Sequence, residues 1–531
     1  MRSRQSASHT MFAGLESLEP RTLLSGTVTV AVVAGKMTVT GDGQGNDIVF
    51  TNNGTNSFAI TSGASPTTIS GVANPTGVTG DILVNMLGGD DTLLFNGLPG
   101  LKNVTLNGGD GNNSVVLFSV NVAGNLNVIN GTGNDTFATL ESARIGGSLK
   151  INDGQGDSII TLDGAIIVGG SVSIAAGAGQ HSIASLNGLT IGGSVLATIG
   201  DMVQGSQLMI VASHVLKGVT CNFANNSDPN GGDVFYVAES TIAGNVKFNS
   251  GPGRSAAYLA NSTIGGTFTA TSGAGNINRY EFNSVVFNKA VTLTSAALDN
   301  DVTLNNARII GNLTCTGGLG SDDLIATASQ ITDNLTWTPK AGGSNAVGTG
   351  LVVGGNATFN GSASTETVTL SGSIGKNLIM NLGEGNASIS LPVLTVGGKL
   401  TATTGNSIDT FIASLVTVVK GTTITTKGGN DSVAIDDCAF LGSLTVSTGD
   451  SGDIVSIDRN ATAAAVSTVA HGKVLISLGG GDDTINIGFQ GPADKRFAVS
   501  GASTIDGGTG ATVSSIQNLD SVIEPVFKNI F

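Results

Sequence analysis

The chain of 531 residues is 40% apolar but only 4% aromatic and 11% charged, with 79 glycines and a formal net charge of −15 at pH 7. That acidity argues against a nucleic-acid partner, which needs clustered Lys and Arg to meet phosphates. No apolar run reaches the roughly 18 residues of a membrane-spanning helix, so no transmembrane segment is expected. Apolar residues spread evenly along a weakly charged chain exclude disorder as well. What remains is a protein of short strands and turns around a long, thin aliphatic core.

Residues 1–26, MRSRQSASHTMFAGLESLEPRTLLSG, show no strand alternation and no apolar run of the kind an ordinary secretory signal carries. Within them Leu18, Glu19, Pro20, Arg21, Leu23 and Leu24 spell Leu-Glu-Pro-Arg-x-Leu-Leu. Near an N-terminus and ahead of Gly/Thr/Val-rich repeats, this resembles the LEPR-XLL motif of large repetitive proteins of planctomycete-type bacteria. The resemblance implies a targeting-like segment and an extracellular or cell-surface location. It implies no activity. A short amphipathic stretch opening the first coil is the plainer alternative.

Residues 27–103 read as N-terminal coils and a cap: MTVTGDGQGNDIVF and ILVNMLGGDDTLLFNG flank a looser stretch, Ser62 to Thr79. From Val104 to about residue 465 the chain repeats every 21 to 24 residues, with one unit of 27, giving sixteen units. Most units share one order: an alternating strand, a Gly-x-Gly turn, a second apolar strand, and a third ending in IGGS, IAGN or VGGN. Three short strands of period two cannot bury their apolar faces alone, but they can if successive units stack. The repeat therefore predicts an all-β fold, a right-handed parallel β-helix with coils of about 22 residues and three short strands per coil. Residues 466–531 hold further coil sequence and a C-terminal cap expected to cover the last coil, because an open coil exposes unpaired strand edges.

The first and third residues of each first strand should face inward: Leu126 and Val128, Leu313 and Cys315, Leu335 and Trp337. The single tryptophan is then core filler. Cys221 and Cys315 share the inward register four coils apart, about 19 Å at coil spacing, too far for a disulfide.

The corner after the first strand carries the chemistry worth weighing. Asp91, Asp135, Asp322, Asp409, Asp431, Asp453 and Asp483 occupy its tenth position, and Asp409, Asp431 and Asp453 are spaced to stack at about 4.8 Å. Like charges that close repel, and a bound cation, turn N–H donors or splaying into solvent would relieve the repulsion. LGGGDDTIN (478–486) and GTGNDTF (131–137) resemble the RTX nonapeptide, which implies calcium. The candidate calcium ligands are Asp91, Asp135, Asp409, Asp431, Asp453 and Asp483, with Asp90 and Asp110 nearby. In RTX repeats the nonapeptides follow one another directly, whereas here the turn comes once per coil. Many coils lack the carboxylate altogether, and calcium needs six to eight oxygens. The alternative is a turn in which Gly supplies positive φ and Asp or Asn caps the backbone.

Outward positions of the first strands from Phe268 onward are nearly all threonine, from Thr269 and Thr271 to Thr445 and Ser447, broken only at Ile379 and Asn381. Threonine suits outward strand positions generally, yet such a face resembles ice-binding surfaces and would also suit polysaccharide or a second copy. Catalysis has little support: His9, His181, His214 and His471 are scattered, and Asp436 and Asp437 form the nearest thing to a glycosidase-type carboxylate cluster. The reading is a non-enzymatic structural or adhesive solenoid meeting cell-surface or extracellular matrix components. A carbohydrate-active β-helix enzyme is the alternative, with the expansion at Asn225 to Gly232 as the first place to look for a cleft.

Overall fold

The computed structural model describes residues 26–530 apart from 180–181, 201–203, 225–231, 276, 460–466, 490–494 and 518. The Leu-Glu-Pro-Arg segment, His9, His181 and most of the expansion at 225–232 thus lie outside the described residues. Among the described residues every regular element is a β-strand. One coil shows the plan: Leu126–Asn130, Asp135–Leu140 and Arg144–Ile145, followed by Leu149–Asp153 of the next. Leu126 pairs with Leu149, Asp135 with Ser158, and Arg144 with Ile167, all in parallel. Repetition of this step builds a β-solenoid of about 19 turns with coils of about 22 residues.

Among the described residues the first strands form one 23-stranded sheet. Second and third strands share a 35-stranded sheet, because in coils such as Ser158–Val168 and Ser344–Val353 they run on without a break. The register is held by the side-chain alternation, since a slip of one residue would turn every inward side chain to solvent. Leu126, Val128, Leu313, Cys315, Leu335 and Trp337 are all buried, as the alternation requires. Aromatic residues gather mid-rod, where Phe268, Phe282 and Phe287 meet edge to face at centroid distances of 5.0 to 5.7 Å.

Both ends depart from the plain coil. At the N-terminal end Thr27–Val33 runs antiparallel to Lys36–Thr40, and Asp47–Asn52 antiparallel to Phe58–Ser62. The looser stretch contains a strand, Thr68–Gly71, which pairs with Thr27–Val33. These reversals end the parallel ladder, one way of blunting a strand edge. Toward the other end the coils lengthen. Asp453 and Asp483 are 30 residues apart at equivalent corners, and the next step is 29, expansions that the repeat analysis did not resolve. The final strand, Val526–Lys528, extends the first sheet beside Ser503–Asp506. Val522 and Phe527 are 81% and 45% exposed there.

Candidate functional site

The six candidate calcium ligands are among the most buried polar groups of the molecule, none more than 2% exposed. Each uses Oδ1 to accept a backbone N–H from the coil before it. Asn46 N–H donates to Asp91 at 2.7 Å, Asn113 to Asp135 at 2.9 Å, and Ala387 to Asp409 at 2.7 Å. Asp409 N–H donates to Asp431 and Asp431 N–H to Asp453, both at 2.8 Å, and Asp453 N–H to Asp483 at 2.9 Å. The stacked carboxylates therefore form a ladder: the side chain of one corner satisfies the main chain of the previous one. Of the three ways to relieve their repulsion, backbone N–H donors are in place at each of these six corners.

The second oxygens are left over. Oδ2 of Asp91, Asp409, Asp431, Asp453 and Asp483 is shielded from solvent without a hydrogen-bond partner. Burial, the largest effect, pushes Asp91 and Asp431 up to about 7 and raises Asp135, Asp409, Asp453 and Asp483 as well. At Asp431 the Thr426 side chain and then the Asp409 N–H oppose the rise, while the charges of Asp409 and Asp453 add to it. Among the described residues no group of three or more His, Cys, Asp or Glu is placed to hold a metal ion. Calcium at these corners would have to use Oδ2, the oxygen not taken by a backbone donor, and would need further oxygens from elsewhere. Asp90 and Asp110 differ: both are exposed, and their Oδ1 atoms accept the N–H of Asn112 and Thr132, each at 2.8 Å.

In the other coils the position stays buried and is polar in nearly all, with Ala387 an apolar exception. Ser158, Ser182 and Ser206 stack in register, then Asp233, Ser255, Asn278, Asn300, Asp322, Ser344 and Glu366. Asn113 even does the aspartate's work, accepting Asp91 N–H at 3.2 Å. Sequence reasoning saw the aspartates and missed this column, because Ser, Asn and Glu share no letter; alignment on the tenth position of every coil would have exposed it. A second ladder explains the IGGS and VGGN endings: Asn334, Asn356 and Asn377 accept N–H groups one coil later, those of Asn356, Asn377 and Lys399, at 2.9 to 3.1 Å.

Other sequence candidates fall as follows. The Thr rows lie in register on one face and are half-buried or exposed. Cys221, Cys315 and Cys438 are free, buried thiols. His214 and His471 are exposed. Asp436 and Asp437 are engaged by Lys495, whose Nζ lies 3.7 Å from Asp436 Oδ1 and 2.9 Å from Asp437 Oδ1. On the outer face of the second strands two recesses of about 220 and 260 Å³ share Arg279. Tyr258 and Arg254 line the first, Glu281, Asp301 and Asp323 the second. Among the described residues no helix is long and apolar enough to cross a membrane. Comparison with family models, curated proteins and solved structures returned no match.

Proposed function

We propose that the chain is a non-enzymatic structural or adhesive rod of the cell surface or extracellular space, presenting its Thr-rich face to a repetitive partner such as a polysaccharide. The observation that carries this reading is the register of that face. Thr269, Thr292, Thr314, Thr336 and Thr358 pair from coil to coil in one line, with Thr271, Thr294, Thr316 and Thr338 beside them. Beyond Ile379 the line resumes at Thr401, Thr423 and Thr445. A solenoid fixes such hydroxyls about 4.8 Å apart along its axis, a rigid lattice of donors and acceptors that loses little entropy on meeting another regular polymer. The location rests on the resemblance of Leu18 to Leu24 to a surface-protein motif.

The test is sedimentation of the purified chain with insoluble glucan and with isolated peptidoglycan. Retention that is lost when Thr314 and Thr336 are both changed to Lys supports the reading. Equal retention of wild type and variant, or none by either, overturns it. Ice-shaping activity of the same face would replace the polysaccharide partner by ice.

A second reading, a polysaccharide lyase or hydrolase, is favoured by one place, the paired recesses around Arg279. There Arg279 sits 3.4 Å from Asp301 and 3.8 Å from Glu281, beside the partly exposed Tyr258. Release of reducing ends from a polysaccharide, lost in Arg279→Ala and Asp301→Asn, would put this reading in place of the first.

A further inference from the structure

Three consecutive coils converge on one corner near the C-terminal end. Asp436 and Asp437 stand just ahead of the third strand Ala439–Phe440, Asp458 and Thr468 precede Val469–Ala470, and Lys495 comes just before Phe497–Val499. The Lys495 side chain is 0% exposed and that of Asp437 8%. A lysine is that deeply buried only with partners, and here the pairing is close on both oxygens: Nζ lies 2.9 Å from Asp437 Oδ1 and 3.0 Å from Oδ2. An amine held this close to both oxygens is also close to the carboxyl carbon that an amide bond would have to reach.

The corner is also held still. Asp437 N–H donates to Asp458 Oδ1 at 3.1 Å, and Asp458 is fixed in turn by the N–H and hydroxyl of Thr468, both at 2.7 Å. A further carboxylate, Asp436, places Oδ1 3.7 Å from the same Nζ. A buried amine, an acyl carbon within reach and a neighbouring carboxylate to carry protons are the parts an amide condensation requires.

We propose that Lys495 and Asp437 condense into an intramolecular isopeptide bond, which staples the two expanded coils to the regular rod. The Lys495 ammonium gives one proton to Asp436, and the freed nitrogen attacks Asp437 Cγ, forming the C–N bond. The nitrogen then loses a second proton, one carboxyl oxygen collects both with Asp436 as carrier, and the C–O bond breaks to release water. Ammonium plus carboxylate gives amide plus water, so no oxidant or cofactor enters. Asp436 is the catalytic residue of this step and Asp458 a positioning residue.

Burial opposes the Lys495 ammonium, but the Asp437 hydrogen bond and the charges of Asp436, Asp437 and Asp458 outweigh it and hold its pKa above that of an ordinary lysine. The reaction therefore starts from the ion pair and happens once, slowly, in each folded chain. The bond would join residues 58 positions apart, constraining the unfolded chain as a long-loop cross-link does.

The experiment is a tryptic digest of the purified, folded chain read by mass spectrometry. The expected product is a branched species joining residues 428–459 to a fragment that ends at Arg496, lighter by one water than the two peptides together and uncleaved after Lys495. Lys495→Arg, which keeps the charge and hence the ion pair, should lack it, and Asp436→Asn should accumulate it more slowly. Complete recovery of the two linear peptides from wild type after prolonged incubation at neutral pH would overturn the proposal. So would a branched species that persists in Lys495→Arg. The wild-type digest decides without reliance on any variant's folding.

Discussion

Asp431 Oδ1 accepts the backbone N–H of Asp409 from one coil earlier, at 2.8 Å, and gives up its own N–H to Asp453 at the same distance. That exchange makes each corner carboxylate part of the main-chain bonding of its neighbour. It also leaves Oδ2 of Asp409, Asp431 and Asp453 out of water without a hydrogen-bond partner.

A pH dependence follows from this arrangement. The folded pKa of Asp431, about 7, lies above its ordinary value of 3.8 because of burial and the flanking Asp409 and Asp453 charges. A carboxyl raised on folding favours the fold fully below the ordinary value, and loses that contribution as pH rises through the folded value. Asp91 and Asp322, also near 7, and Asp153, near 6, act in the same direction. Thermal stability should therefore fall between pH 4 and pH 7, the window these values define. Asp431→Asn keeps an acceptor for Asp409 N–H, as Asn113 does for Asp91. It should flatten part of that fall and melt higher than wild type at pH 8. Melting curves across the range check it, and a variant less stable at pH 8 contradicts it.

The asparagine ladder predicts a local effect. Asn334 accepts Asn356 N–H at 2.9 Å, and Asn334→Ala should cost about 1 kcal/mol. Hydrogen exchange should quicken at Asn356 and its neighbours while distant coils keep their protection, as expected where each repeat touches only the next.

Much of this was legible in the sequence and some was not, for physical reasons. Inward and outward positions follow from period two, so the burial of Leu313, Cys315 and Trp337 and the outward Thr rows could be read directly. The corner aspartates could be located but not their direction, because whether a carboxylate splays outward or folds in under the previous coil depends on a donor some 22 residues away, as Asp409 N–H is from Asp431. The lengthened C-terminal coils were hidden because added residues at a corner leave both flanking strands intact, as Leu444 and Val474 show by pairing across the longest one. Lys495 beside Asp437 joins residues 58 positions apart across such an expansion, and no periodic argument reaches it.

Close stacking of corners sets a steric limit. Gly449 has φ of +96°, and a Cβ there would collide with the carbonyl oxygen of Lys427. Gly449→Ala must both strain the backbone and push two coils apart, so a loss of at least about 1–3 kcal/mol is expected. Denaturant unfolding measures it. A neutral effect would contradict close packing of the Gly449 corner on Lys427.

The most direct test of the corner account is the thermal unfolding midpoint of the whole chain at neutral pH, measured with added calcium and with chelator. Corners closed by their own N–H to carboxylate bonds predict the same midpoint in both. A midpoint that rises with calcium, and loses that rise in Asp431→Asn, would contradict the account and make Asp409, Asp431 and Asp453 metal ligands.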